Sequence, residues 1–170
     1  MATKVIISDL YKFNRTWKKK KARRVVALMN TVINSEEFKE KVLAYDFQDT
    51  RYRRSSKEAY ERLSDNQQIY DILMKGNEQE SPEGDDHTWQ LRIKLGRFLF
   101  QVGRREGDLI ITQNWFFRKD GNEAAVAGHW AHEYAHMLGF NHDYEPTERR
   151  DQSVPYAIGH IIEEILEKGK

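Results

Sequence analysis

Trp89, Leu91, Ile93 and Leu95 alternate with Gln90, Arg92 and Lys94, the period of a strand buried on one face, so residues 89–95 are expected to be a half-buried strand. Val5, Ile6 and Ile7 suit a first short strand over 4–8. Val25, Val26, Leu28, Met29, Val32 and Ile33 recur at helical spacing, which predicts an amphipathic helix over 18–33 backing the sheet. Asn34 or Ser35 can cap a second helix reaching about residue 44, with Glu36 and Glu37 at the positive end of its dipole. After a loop at 46–54, Tyr60, Leu63, Ile69, Tyr70, Ile72 and Leu73 predict a helix over 56–75 that stops near Gly76.

Residues 76–86 hold two glycines, a proline and five acids without the spacing of a calcium loop, and read as a solvated connector. His87 reads as a strand-edge residue. Strands are expected at 98–102 and 109–115, with turns at Gly96, Gly103 and Gly107. Asp120, Gly121 and Asn122 break the chain before a helix that places Ala127, Ala131, Tyr134 and Leu138 on its inward side. A polar loop to residue 152 and a turn at 153–156 then lead to a C-terminal helix over 157–168, marked by Ile158, Ile161, Ile162, Ile165 and Leu166. This order predicts an α+β fold in one domain of 170 residues, with sheet and backing helices in 1–127 and the functional helix and C-terminal helix in 128–170.

The functional helix carries the strongest chemical signal. Residues 128–143 read G-H-W-A-H-E-Y-A-H-M-L-G-F-N-H-D, with His132, Glu133 and His136 as H-E-x-x-H, extended by Gly139 and His142. Four positions apart on a helix, His132 and His136 share a face one turn apart and can grip one ion. Glu133 stays beside that ion and can act on its water. Gly139 can adopt the positive φ that ends a helix, which would bring His142 back toward the same metal. Three imidazoles with an open fourth position suit a catalytic zinc. His129 is an alternative third ligand, but three histidines along one straight helix would span roughly 10 Å, too far for one ion.

The run resembles the zinc-binding signature of the metzincin metallopeptidases, and its Gly-Phe-Asn-His-Asp ending is similar to the adamalysin branch. The resemblance implies a zincin-like domain with a twisted sheet packed on helices. It implies His132, His136 and His142 as zinc ligands, Glu133 as general base, and a helix bent sharply at Gly139. It also implies that the strand near 109–115 forms the rim of a cleft and pairs through its free edge with an extended peptide substrate. Metzincins carry a methionine in a turn beneath the metal, yet the last methionine here is Met137. The corresponding turn would be 153–156, with Val154 in the methionine's place and Tyr156 two residues later. A tyrosine at that offset lies near the zinc in astacin-like and serralysin-like members, so Tyr156 is a candidate oxyanion-stabilising phenol, or else an ordinary core tyrosine. Glu163 or Glu164 would be the third ligand if the chain resembled the gluzincins instead.

Charge adds a second possibility. Formal net charge is +1, but 17 basic residues face 10 acidic ones in residues 1–75, against 11 and 17 in residues 76–170. Residues 11–24 hold eight Lys or Arg, no acid, and the rings of Tyr11, Phe13 and Trp17. That mixture is either a platform for an acidic or nucleic-acid partner or the solvated start of a helix. There are no cysteines, which excludes disulfides, a thiol nucleophile and thiolate ligands, and fits a reducing compartment. The N-terminal apolar run is too short for a signal peptide and no membrane span follows, so a cytoplasmic or leaderless protein is expected. The functional expectation is zinc-dependent peptide hydrolysis by a monomer acting on peptides or proteins, without nucleic-acid or membrane partners. The alternative is a non-catalytic metal-containing module that binds an acidic partner or nucleic acid through 11–24.

Overall fold

The computed structural model describes residues 2–79, 87–97 and 101–169. In chain order, β1 (Lys4–Tyr11), α1 (Thr16–Ile33) and α2 (Glu36–Ala44) come first, then a small ribbon of β2 (Arg51–Tyr52) and β3 (Glu61–Arg62), then α3 (Asn66–Lys75). There follow β4 (Thr88–Gly96), β5 (Gly103–Glu106), β6 (Leu109–Gln113), α4 (Asn114–Phe117), α5 (Glu123–Leu138), α6 (Glu148–Asp151) and α7 (Val154–Lys168). The chain is α+β. Most of the connector at 76–86 and most of the strand expected at 98–102 lie outside the described residues. Among the described residues, no helix is long and apolar enough to cross a membrane.

The main sheet has the order β1-β4-β6-β5, with β1, β4 and β6 parallel and β5 antiparallel. Interior position explains the pattern of β4, whose Trp89, Leu91, Ile93 and Leu95 are all buried. α1 covers the sheet through Ala22, Val25, Met29, Val32 and Ile33, and Asn30 ties the two together by bonding to both the N–H and the carbonyl of Val5. α2 begins at Ser35, whose hydroxyl accepts from the Phe38 N–H.

Four expectations need correction. The helix expected over 56–75 is confined to α3, because Asp65 caps it by accepting from the Gln67 N–H at 2.8 Å. The preceding residues 61–62 pair with 51–52, inside what the pattern assigns to a loop. The strand expected over 109–115 stops at Gln113, and β6 is hydrogen-bonded on both sides. Gly107, at φ 60°, folds 103–106 back onto it, so β5 rather than β6 is the edge strand. The turn expected at 153–156 is the first turn of α7, which Pro155 starts readily at its second position.

α5 and α7 cross at two glycines. A Cβ on Gly159 would stand 2.8 Å from the Gly128 carbonyl oxygen, and one on Gly128 would stand 2.7 Å from that of Gly159. Backbone thus packs against backbone, drawing Tyr156 and His160 of α7 to the histidine face of α5. The inward face of α5, with Ala127, Ala131, Tyr134 and Leu138, is buried in the core. Replacing Gly159 by Val would wedge the helices apart. Chemical denaturation is expected to show a loss of about 1–3 kcal/mol, and an unchanged midpoint would contradict the close crossing.

Candidate metal centre

Three turns of α5 carry His129, His132 and His136 along one side, and the helix then stops abruptly. Gly139 takes φ 112°, and a Cβ there would run into the Arg53 carbonyl oxygen, so no other residue fits. The chain past Gly139 lies against β2: the Arg53 N–H donates to the Gly139 carbonyl at 3.1 Å and the Asn141 N–H donates to the Arg51 carbonyl at 3.0 Å. Phe140 and Tyr52 bridge the two segments, their rings 5.2 Å apart. This pairing returns His142 to the helix. Nε2 of His136 and Nε2 of His142 stand 3.2 Å apart, and Nε2 of His142 and of His132 stand 3.4 Å apart.

The ring tautomers follow from the partners on the other nitrogens. Nδ1 of His136 lies 3.0 Å from the Phe140 carbonyl oxygen and Nδ1 of His142 lies 2.8 Å from that of Asp143. A carbonyl only accepts, so both Nδ1 atoms carry the proton and both Nε2 atoms present lone pairs. Two lone pairs at 3.2 Å repel, and a cation between them converts that repulsion to attraction. A tetrahedral divalent ion at about 2.0–2.1 Å from each imidazole nitrogen needs ligand atoms about 3.3–3.4 Å apart. The observed separations of 3.2 and 3.4 Å match. Burial, reinforced by the neighbouring histidines, holds His132 far below its ordinary pKa and His136 down at about 3, and burial lowers His142 against the pull of the Asp143 carbonyl. Neutral imidazole is the form that binds metal. His132, His136 and His142 therefore form a cluster able to hold a metal ion.

Glu133 lies beside this cluster, only 6% exposed. Burial pushes its carboxyl up to about 7, with Arg105 pulling the other way. His129 is outside the cluster. Its Nδ1 is 3.7 Å from Glu133 Oε1, its ring meets Phe116 edge-on, and it packs against Gly103 of β5, forming the wall behind Glu133. Its Nε2 is buried without a well-formed hydrogen bond. The Ile111 carbonyl favours the charged form, but burial wins and lowers the pKa to about 4.

Tyr156 brings its ring centroid to 4.5 Å from His132 and 4.9 Å from His142, with the Arg150 guanidinium 5.1 Å above the phenol ring. Together with Glu133 and the three histidines it lines an open cleft of about 820 Å³. Val154 is wholly buried in the core. Glu164 turns away to Lys41 and Lys168, and Glu163 lines the cleft without joining the cluster. His87 is structural: its Nδ1 lies 2.9 Å from the Met74 carbonyl oxygen and its own carbonyl accepts from the Lys4 N–H.

Sequence reasoning misses the group that anchors His142. The Asp49 carboxylate is fully buried and receives Arg51 Nε at 3.0 Å and an Arg51 terminal nitrogen at 2.6 Å. That same terminal nitrogen reaches Asp143 at 2.6 Å, next to the third histidine. The Asp49 carbonyl accepts from the Val154 N–H at 3.1 Å. One short segment thus clamps the ligand loop and the start of α7. Asp49 and Arg51 are two residues apart in a polar stretch whose partners lie about a hundred positions downstream, so no local pattern marks them. The basic run at 11–24 is also broken up by the fold. Phe13 is buried in the core, Lys21 is buried and donates to the Lys119 carbonyl and the Asn122 side chain, and Arg24 pairs with Glu123.

Between about pH 6.5 and 4 the unfolded chain binds protons on His129, His132, His136 and His142 that the folded chain excludes, since all four are lowered in the fold. Stability therefore falls as pH falls through that window. Glu133, being raised, opposes the trend, one group against four. The metal-free protein in chelator is expected to melt at a lower temperature at pH 5 than at pH 7, and an equal or higher melting temperature at pH 5 would contradict the neutral, buried cluster.

The chain matches no protein-family model, no curated protein and no solved structure.

Proposed function

We propose that the protein is a zinc-dependent endopeptidase of metzincin type on a zincin-like fold. The observation that carries this reading is the convergence of three imidazoles, with the His142 Nε2 3.2 Å from that of His136 and 3.4 Å from that of His132, beside a buried carboxylate on the same helix. An all-imidazole donor set of this size favours zinc among the common divalent ions. When bound, zinc supplies Lewis-acid polarisation of a scissile carbonyl and acidifies a water.

The rest is the work of this chain's residues. The Phe140 and Asp143 carbonyls lock His136 and His142 with Nε2 inward, so the ligands are pre-oriented. Glu133, with its carboxyl near 7, is poised to take a proton from water and deliver it to the leaving amine. Tyr156, against the rings of His132 and His142, is positioned to donate to a developing oxyanion. β5 ends the sheet at the mouth of the cleft, and a peptide added to its outer edge would run extended past the histidines. Substrates are peptides or proteins, acted on by a monomer. The methionine of the metzincin turn has no counterpart here, because α7 begins at that point and the buried Val154 fills the core there.

Cleavage of an unbiased peptide mixture tests the reading. The zinc-loaded parent should cut, and Glu133→Ala should keep one equivalent of zinc while losing turnover by about 10²–10⁴-fold. His142→Ala should weaken zinc binding itself. Cleavage at the parental rate by Glu133→Ala, or undiminished zinc affinity in His142→Ala, would refute the assignment.

A further inference from the structure

A second cavity lies where the three parallel strands end. β1 stops at Tyr11, β4 at Gly96 and β6 at Gln113, and the residues that follow them, Lys12, Arg97 and Asn114, line one hollow of about 440 Å³ together with Asn14 and Lys18. The crevice outside the carboxyl ends of parallel strands is a recurrent ligand position, since the strands end there in loops free to carry binding groups. Among the described residues, this hollow shares none with the histidine cleft.

Its chemistry is one-sided. Among the described residues, three cations and two amides line it and no acid does. Among the described residues no ion pair joins Lys12, Lys18 or Arg97 to a carboxylate, whereas Arg24 on the same helix has Glu123. The Lys18 ammonium is held at the wall by Asn114, 2.7 Å from its Oδ1. Burial and the neighbouring charges of Arg118, Arg15 and Arg97 all lower its pKa, in that order, with no acid opposing them. Like charges gathered without a counter-ion repel, and an anion seated among them relieves that repulsion. Amide side chains supply further donors that recognise oxygen atoms in fixed directions. The size of the hollow suits a small ligand rather than a long polymer.

We propose that this hollow is a binding site for a small polyphosphate, its phosphate oxygens held by Lys12, Lys18 and Arg97 with Asn14 and Asn114 completing the shell. The diphosphate unit is the recognised chemistry, and inorganic pyrophosphate and nucleoside triphosphates both present it. Because no metal-centre residue takes part, the site stands or falls apart from the peptidase reading.

Titration calorimetry on the zinc-loaded full chain, with inorganic pyrophosphate and ATP in separate arms, tests this. The parent should bind pyrophosphate saturably with one equivalent, and Lys12→Gln/Arg97→Gln should weaken binding at least about tenfold. Both replaced side chains are exposed, so melting temperature should stay at the parental value. Lys19→Gln/Lys20→Gln, on the same helix but away from the hollow, should leave affinity unchanged. All variants keep the metal centre, so heat from chelation of zinc is common to them. Tighter binding of ATP than of pyrophosphate would identify a nucleotide as the source, and equal affinity would identify the diphosphate alone. Absence of saturable binding, or equal losses in both double variants, would overturn the site. Binding of a single-stranded oligothymidine without binding of pyrophosphate would overturn it too, in favour of an extended nucleic-acid surface.

Discussion

His136 and His142 turn the lone pairs of their Nε2 atoms toward one another beside the ring of His132, an arrangement that a cation held among the three imidazoles would stabilise. Nε2 separations of 3.2 and 3.4 Å impose this constraint, and much of the surrounding structure serves to hold it. Carbonyl acceptors on the far side of His136 and His142 remove the escape of a tautomer change. Burial removes the escape of protonation. What remains is a preformed cage whose own repulsion favours metal entry, which is preorganisation in the sense that the protein bears the ordering before the ligand arrives.

Holding the third histidine takes more architecture than holding the first two. His132 and His136 come with the helix, whereas His142 depends on a left-handed glycine, on backbone pairing to β2, and on the Asp49–Arg51–Asp143 bridge. A wholly buried carboxylate such as Asp49 is tolerated only with its partner, because an unpaired charge there is strongly destabilising. The same segment fastens the start of α7, and the glycine crossing of α5 and α7 then sets Tyr156 against the rings. The histidine cluster and the packing of the two long helices are thus coupled through one short stretch, 49 to 53.

What could be read from the sequence follows from how local each signal is. The strand at 89–95 declares itself because an interior strand with one packed face must alternate. The histidine cluster is legible because holding one ion would demand fixed offsets within eleven residues. Tyr60 and Leu63 mislead for the opposite reason: they happen to fall in helical register with α3, but Tyr60 sits under the Arg53 guanidinium and bonds Asn141, and Leu63 donates its N–H to Thr50. The edge role of β5 is hidden because strand order is a long-range property, and only the short turn at Gly107 hints at it. The basic run looked uniform in one dimension; in three, Lys21 is swallowed by the fold while Lys12 and Lys18 face a hollow.

The most direct test is X-ray absorption at the zinc edge of protein loaded with one equivalent of zinc. Three imidazole shells and one light atom at about 2.0–2.1 Å are the expected signature of the cage with its fourth position open. A fit with only two imidazoles, or failure to retain one equivalent of zinc through dialysis, would contradict the account at its centre.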